Sequence, residues 1–307
     1  MGADAPQLLA SRGFERYALL TTPRAARDAP AVVETADVVL EVPSGTVPDA
    51  AAAVRGGVEG RPVVALGGGR VVDAAKAIAG ADGLPAAAIP TTLSGAEMTP
   101  FHRMPAGVDA FKLVRPSLVV ADPALMASQP MPDLAASAMN ALAHAVEALY
   151  TPLANPVAEQ AALRAAELIA QGLDADEPGR EALALGALLA GYAVGSTGFA
   201  VHHAVCQTIV RVCGTPHAQT NSVMLPHFVR FMEPRAPREI GLLTDALGGD
   251  VERLAACAGV SRLGELGITD ADLPRIMEGV AQRGDIAANT PTSPSRAELH
   301  EVLENAL

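Results

Sequence analysis

The chain has 307 residues, half of them hydrophobic, and a formal charge of -12. That length and apolar content can fill two cores, which argues against disorder as the main state. The negative charge argues against a nucleic-acid backbone or an anionic membrane surface as the principal partner, because a polyanion meets a repulsive field. An anionic substrate would need a local basic pocket.

Residues 1–16 lack a basic stretch followed by an apolar segment, so they do not read as a secretory signal. Short apolar runs at 17–21, 36–42, 62–66, 85–89 and 117–121 are predicted strands, separated in several cases by helix-length segments. That alternation predicts a Rossmann-like parallel sheet with helices on both faces and ligands at the carboxyl ends of the strands. Past the proline-punctuated stretch 122–133 the strand signal stops, and alanine- and leucine-rich helical spacing takes over. The predicted organisation is an α/β domain over 1–127 and an all-helical domain over 128–307. The uncharged stretch 182–201 is diluted by glycine, serine and threonine and reads as a buried helix rather than a membrane span. Cys206, Cys213 and Cys257 are odd in number and lack Cys-x-x-Cys spacing, which fits a reducing cytoplasm and no zinc ribbon.

Two strand ends carry polar loops. The third predicted strand runs into Gly67, Gly68 and Gly69 and out through a helix containing Asp73 and Lys76. Glycine permits close approach, and the amides and dipole of a helix N-terminus attract phosphate. The next strand ends in Pro90, Thr91, Thr92, Leu93 and Ser94, which places hydroxyls beside the glycines. Together they predict one nucleotide cleft. Lys76 and Lys112 are the only lysines in the chain.

Further along, Asn140 and His144 lie one helical turn apart, with His203 and His217 downstream. A neutral amide where a carboxylate would be expected makes a poor site for a catalytic transition metal.

The chain resembles the iron-containing (group III) alcohol dehydrogenase family, most closely its maleylacetate reductase branch. The resemblance rests on the blocks 67–76, 90–100, 139–148, 202–206, 216–221 and 225–227. It implies a dehydroquinate synthase-like fold, a homodimer, a small-molecule substrate, and NAD or NADP in the cleft between the domains. Gly67, Gly68, Gly69, Asp73, Thr91 and Thr92 would hold the cofactor. The family's metal-binding aspartate and three histidines become Asn140, His144, His203 and His217, implying a catalytic pocket that works without a bound metal.

Several positions depart from the family pattern. Arg70 replaces the usual serine after the glycines, and Gln207 stands four residues after His203 where another histidine is common. A glutamine exchanges no proton near neutral pH. The chain also starts close to its first strand, and the region 101–116 reads as short. His102, Arg103 and Gln207 are candidate substrate contacts. Arg211 is another, though as an arginine it is more often a surface residue. Glu147, one turn beyond His144, is placed to orient an imidazole but reads first as an ordinary helix carboxylate, His202 and His227 read as supporting or structural, and His300 as outside the chemistry.

After the first strand, Thr21, Thr22, Pro23 and Arg24 offer no acid for a ribose 2′-hydroxyl, while Arg24 can accept a 2′-phosphate, which leans toward NADP or dual use. The leading expectation is an NAD(P)H-dependent reductase of a carbonyl or a conjugated unsaturated acid. Its rivals are a non-redox lyase, dehydratase or cyclase on the same scaffold, and a catalytically silent interaction subunit.

Overall fold

The computed structural model describes residues 4–175 and 177–307. They form two compact units, residues 1–128 and 129–307. The first unit contains strands β1 (Ala18–Thr21), β2 (Val38–Glu41), β3 (Val63–Gly67), β4 (Ala86–Pro90) and β5 (Leu118–Val119). Their order is β2-β1-β3-β4-β5, and every pairing is parallel. Around them lie helices α1 (Ala5–Ser11), α2 (Pro23–Asp28), α3 (Pro30–Glu34), α4 (Val47–Arg55), α5 (Gly69–Asp82) and α6 (Pro123–Met126).

Alternation of side chains across the pleat divides the apolar residues into two cores. Leu20, Val63, Ala65 and Ala88 face one side, where Ala50 and Ala51 of α4 and Val72, Ala75 and Ile78 of α5 pack on them. Leu19, Val64, Leu66 and Ile89 face the other, against Leu9, Ala25, Val32 and Leu125. The sheet is therefore buried on both faces, which is why β3 and β4 read as unbroken apolar runs. The edge strands are shorter than their apolar runs. For β5 the reason is local: the Asp122 side chain accepts from the Ala124 amide at 2.9 Å and caps α6, pulling the chain out of the sheet.

The second unit is helical. It contains α7 (Met131–Tyr150), α8 (Pro156–Asp174), α9 (Arg180–Thr197), α10 (Val201–Cys213), α11 (His217–Met232), α12 (Pro237–Leu247), α13 (Val251–Ala255), α14 (Leu273–Ala281), α15 (Gly284–Asn289) and α16 (Arg296–Ala306). Helix α7 is buried on all sides from Leu134 to Tyr150 and forms the centre of this unit. Gly198, at φ 82°, ends α9, and the chain turns by 101° into α10. That turn places His202 and His203 in the first turn of α10. Among the described residues no single helix is long and apolar enough to cross a membrane, although the bent pair α9 and α10 has that composition.

Candidate active site

In the first unit, β3 delivers Gly67 to the start of α5, with Gly68 as its N-cap. A Cβ on Gly68 would lie 3.0 Å from Thr92 Cγ2, and one on Gly69 would lie 3.1 Å from Ser94. The glycines thus let the two strand-end loops approach closely, and the Thr91 amide donates to the Gly67 carbonyl at 3.0 Å. The first amides of α5 have no partners within the helix and sit at the positive end of its dipole. This cradle, bordered by the Thr92 and Ser94 hydroxyls, fits the pyrophosphate of a dinucleotide. Arg70 lies exposed in the first turn of α5 and forms no ion pair among the described residues. Arg24 reaches the same loop, donating to the Thr91 carbonyl and hydroxyl at 3.3 Å each.

Lys76 holds that loop in place. Its fully buried ammonium donates to the carbonyls of Ala96 (2.8 Å), Thr99 (3.1 Å) and Phe101 (2.7 Å), and pairs with Asp73 at 2.8 Å. Asp73, expected at the cofactor, is the counter-ion of this lysine. His102, expected at the substrate, has both ring nitrogens engaged: Nε2 accepts from the Val114 amide at 3.1 Å, so Nδ1 carries the proton and donates to the Arg103 carbonyl at 3.3 Å. His102 braces its own loop, and Arg103 is exposed beside it.

In the second unit, α7 presents Asn140, His144 and Glu147 on successive turns, and α10 presents His203. Glu147 is fully buried, and its carboxyl makes two contacts with His203: Oε2 with Nδ1 at 2.7 Å, and Oε1 accepting from the backbone amide at 3.1 Å. Of the two readings of Glu147, the contact favours the one that has it orient an imidazole over that of an ordinary helix carboxylate. The His144 and His203 rings stack with centroids 4.6 Å apart, and Phe199 packs 4.8 Å from His203 and 5.7 Å from His144. His203 Nε2, His144 Nδ1 and Asn140 Oδ1 are buried with no hydrogen-bond partner. Unpaired buried polar atoms are costly, so these three mark where a ligand's polar groups would be received.

His202 stands behind His203, with Nδ1 3.4 Å from His203 Nδ1 and Nε2 3.4 Å from the Asn221 carbonyl. Burial, with His203 next in weight, lowers its pKa to about 3, so it is neutral. Burial also lowers His203 and His144 well below the ordinary histidine value and raises Glu147. His217, exposed at the start of α11, has its Nε2 3.3 Å from Asn221 Nδ2. Gln207, a turn after His203, accepts from Arg283.

The donor set bears on the metal that the family's name implies. Among the described residues, the only trio of His, Cys, Asp or Glu with potential ligand atoms within 4.8 Å of one another is Glu147, His202 and His203. Two of its members are hydrogen-bonded to each other instead. Asn140, His144, His203 and His217 contribute one amide and three imidazoles without a carboxylate.

A sequence profile of the Fe-containing alcohol dehydrogenase family, C-terminal, matches residues 134–307, and one of iron-containing alcohol dehydrogenase matches residues 3–130. Maleylacetate reductase 1 of Rhodococcus opacus is 36% identical over 262 residues, 80% of this chain and 72% of that protein. The crystal structure of maleylacetate reductase from Agrobacterium tumefaciens has a TM-score of 0.86 at 30% identity, covering 100% of this chain and 93% of that one. An iron-containing alcohol dehydrogenase from Corynebacterium glutamicum gives 0.87 at 28% identity, covering 100% and 92%. The chain is therefore an oxidoreductase of the iron-containing alcohol dehydrogenase family, in its maleylacetate reductase branch.

Proposed function

We propose that this protein reduces an unsaturated oxo acid of the maleylacetate kind with NAD(P)H, without a tightly bound metal, and that the Glu147–His203 pair supplies the proton. The observation that carries the proposal is the 2.7 Å contact between Glu147 Oε2 and His203 Nδ1, with His203 Nε2 left free. When bound, the dinucleotide supplies the hydride and its electron pair. Addition to a carbonyl, or to a carbon–carbon double bond conjugated with one, places negative charge on the carbonyl oxygen. That oxygen needs a proton.

The pair provides it through simple proton counting. With two protons the pair is neutral overall, and Nε2 carries a hydrogen whether the second proton rests on Glu147 or on Nδ1. With one proton the pair is anionic, and Nε2 offers only a lone pair. Burial disfavours net charge, and it raises Glu147 while lowering His203. The first shift favours the neutral, donating state, and the second places its proton on Glu147 rather than on Nδ1. As Nε2 gives up its proton, the Glu147 proton passes to Nδ1 and the charge settles on a carboxylate already held by the His203 amide. His144 and Asn140 flank the acceptor oxygen as polar neighbours without net charge.

The amide at Asn140 and the mutual hydrogen bond within the Glu147, His202 and His203 trio support the metal-free reading. Arg24 beside Thr91 supports use of NADPH. Free thiols at Cys206, Cys213 and Cys257 support a cytoplasmic setting, and the family likeness supports a homodimer. Gln207 favours a second reading, a non-redox step on this scaffold, because it places a non-titrating amide where a proton carrier is common in the family.

The test follows nicotinamide absorbance with maleylacetate before and after exhaustive chelation, alongside metal analysis. We expect consumption of NADPH, an unchanged kcat after chelation and no stoichiometric transition metal. Turnover that continues with all nicotinamide removed would establish the second reading, and activity restored only by added iron would refute the metal-free one.

A further inference from the structure

Arg283 lies between α14 and α15 with its side chain 17% exposed, far in sequence from every recognised motif. Its guanidinium makes two contacts. Nε and Nη2 grip the Asp285 carboxylate, at 2.8 Å and 2.5 Å. Nη1 and Nη2, the other edge of the fork, both point at one atom, Gln207 Oε1, at 3.2 Å each. A two-pronged donor edge facing a single neutral amide oxygen is under-used, because the partner matching that geometry is a carboxylate with two oxygens.

The location gives this mismatch its meaning. Gln207 follows His203 by four residues on α10, so the two side chains are neighbours on one helix face, about 6 Å apart along it. The region around α15 brackets the same strip of α10. Asn289 Nδ2 donates to the Phe199 carbonyl at 2.8 Å, four residues before His203, and Arg283 reaches Gln207 four residues after it. Phe199 itself packs on the His203 ring. Asp285 fixes the guanidinium from outside while leaving the Gln207 edge open to exchange. In a chain of charge -12, a partly desolvated arginine that is paired with Asp285 and reaches Gln207, one turn along α10 from His203, keeps a second guanidinium edge for an anionic substrate.

We infer that Arg283 is the residue that recognises the substrate's remote carboxylate, which displaces Gln207 Oε1 from the Nη1–Nη2 edge while the substrate's carbonyl oxygen meets His203 Nε2. The inference rests on the reductase reading for the role of His203 and adds the residue that meets the substrate's carboxylate.

The experiment compares wild type with Arg283→Met and Arg283→Lys in two assays. In the first, steady-state reduction with NADPH is measured for maleylacetate and for cyclohexenone, which has no carboxylate. We expect Arg283→Met to raise KM for maleylacetate by about 10- to 100-fold with little change in kcat, because the contact is equally present in ground and transition states. Arg283→Lys keeps the charge without the fork and should fall between, and cyclohexenone kinetics should not change. In the second assay, calorimetry with NADPH present measures adipate, a dicarboxylate that cannot be reduced. Binding to wild type that weakens by a similar factor in Arg283→Met supports the inference even where no reduction occurs, and in that case the reductase reading alone falls. An unchanged KM in both variants, a parallel loss with cyclohexenone, or no adipate binding to wild type overturns it.

Discussion

Replacing His203 with alanine is expected to lower kcat by about 100- to 10,000-fold, the usual contribution of a positioned acid. NADPH affinity, read by fluorescence titration, should stay unchanged, because the glycine cradle belongs to the other unit. Glu147→Gln separates the two members of the pair. Glutamine can still orient His203 through Nδ1, but it has no proton to pass inward and cannot take up the charge. Its kcat should therefore fall by about 100-fold or more, with KM little altered. Equal activity in wild type and both variants would remove the pair from the chemistry.

The second large effect concerns stability. Lys76→Met removes a buried ammonium that joins α5 to three carbonyls of the following loop and neutralises Asp73. The methionine fills similar space but leaves those carbonyls without a donor and the aspartate without its cation. Loss of one member of a buried pair costs about 3–5 kcal/mol, and the partial exposure of Asp73 places the expected loss near the lower end. Urea unfolding of the two proteins checks this, and a midpoint shift corresponding to under about 1 kcal/mol would show that water replaces the lysine. Because the loop also carries Thr91 and Thr92, weaker NADPH binding should accompany the loss.

The parts legible in the sequence were those set by local pattern. Unbroken apolar runs marked β3 and β4 because both faces of the sheet are covered, and the glycines marked the start of α5 because a Cβ there would crowd Thr92 and Ser94. Asn140 and His144 could be paired from their spacing of four. Glu147 lay in the same register, one turn on, but nothing in the sequence shows that a residue 56 positions later turns its ring toward it. The bend at Gly198 makes that contact, and a single glycine does not announce a turn of 101°. Arg283 was invisible for the same reason, since its link to Gln207 spans 76 positions. His102 was singled out by its proximity to a motif, and what sequence could not show is that its ring nitrogens are engaged by the Val114 amide and the Arg103 carbonyl. Of the two lysines, Lys76 places a compact ammonium among several carbonyls, whereas Lys112 is exposed, and their scarcity alone did not separate the two.

The most direct measurement is the pH dependence of kcat for NADPH-dependent reduction by the metal-stripped protein. The donating state of the Glu147–His203 pair holds two protons, so kcat should be level on the acid side. It should fall by about tenfold per pH unit once the pair loses its first proton, and Glu147→Gln should lose that break. A rate that rises with pH over the same range, or NADPH left unconsumed at every pH, would contradict proton donation by this pair to a hydride acceptor.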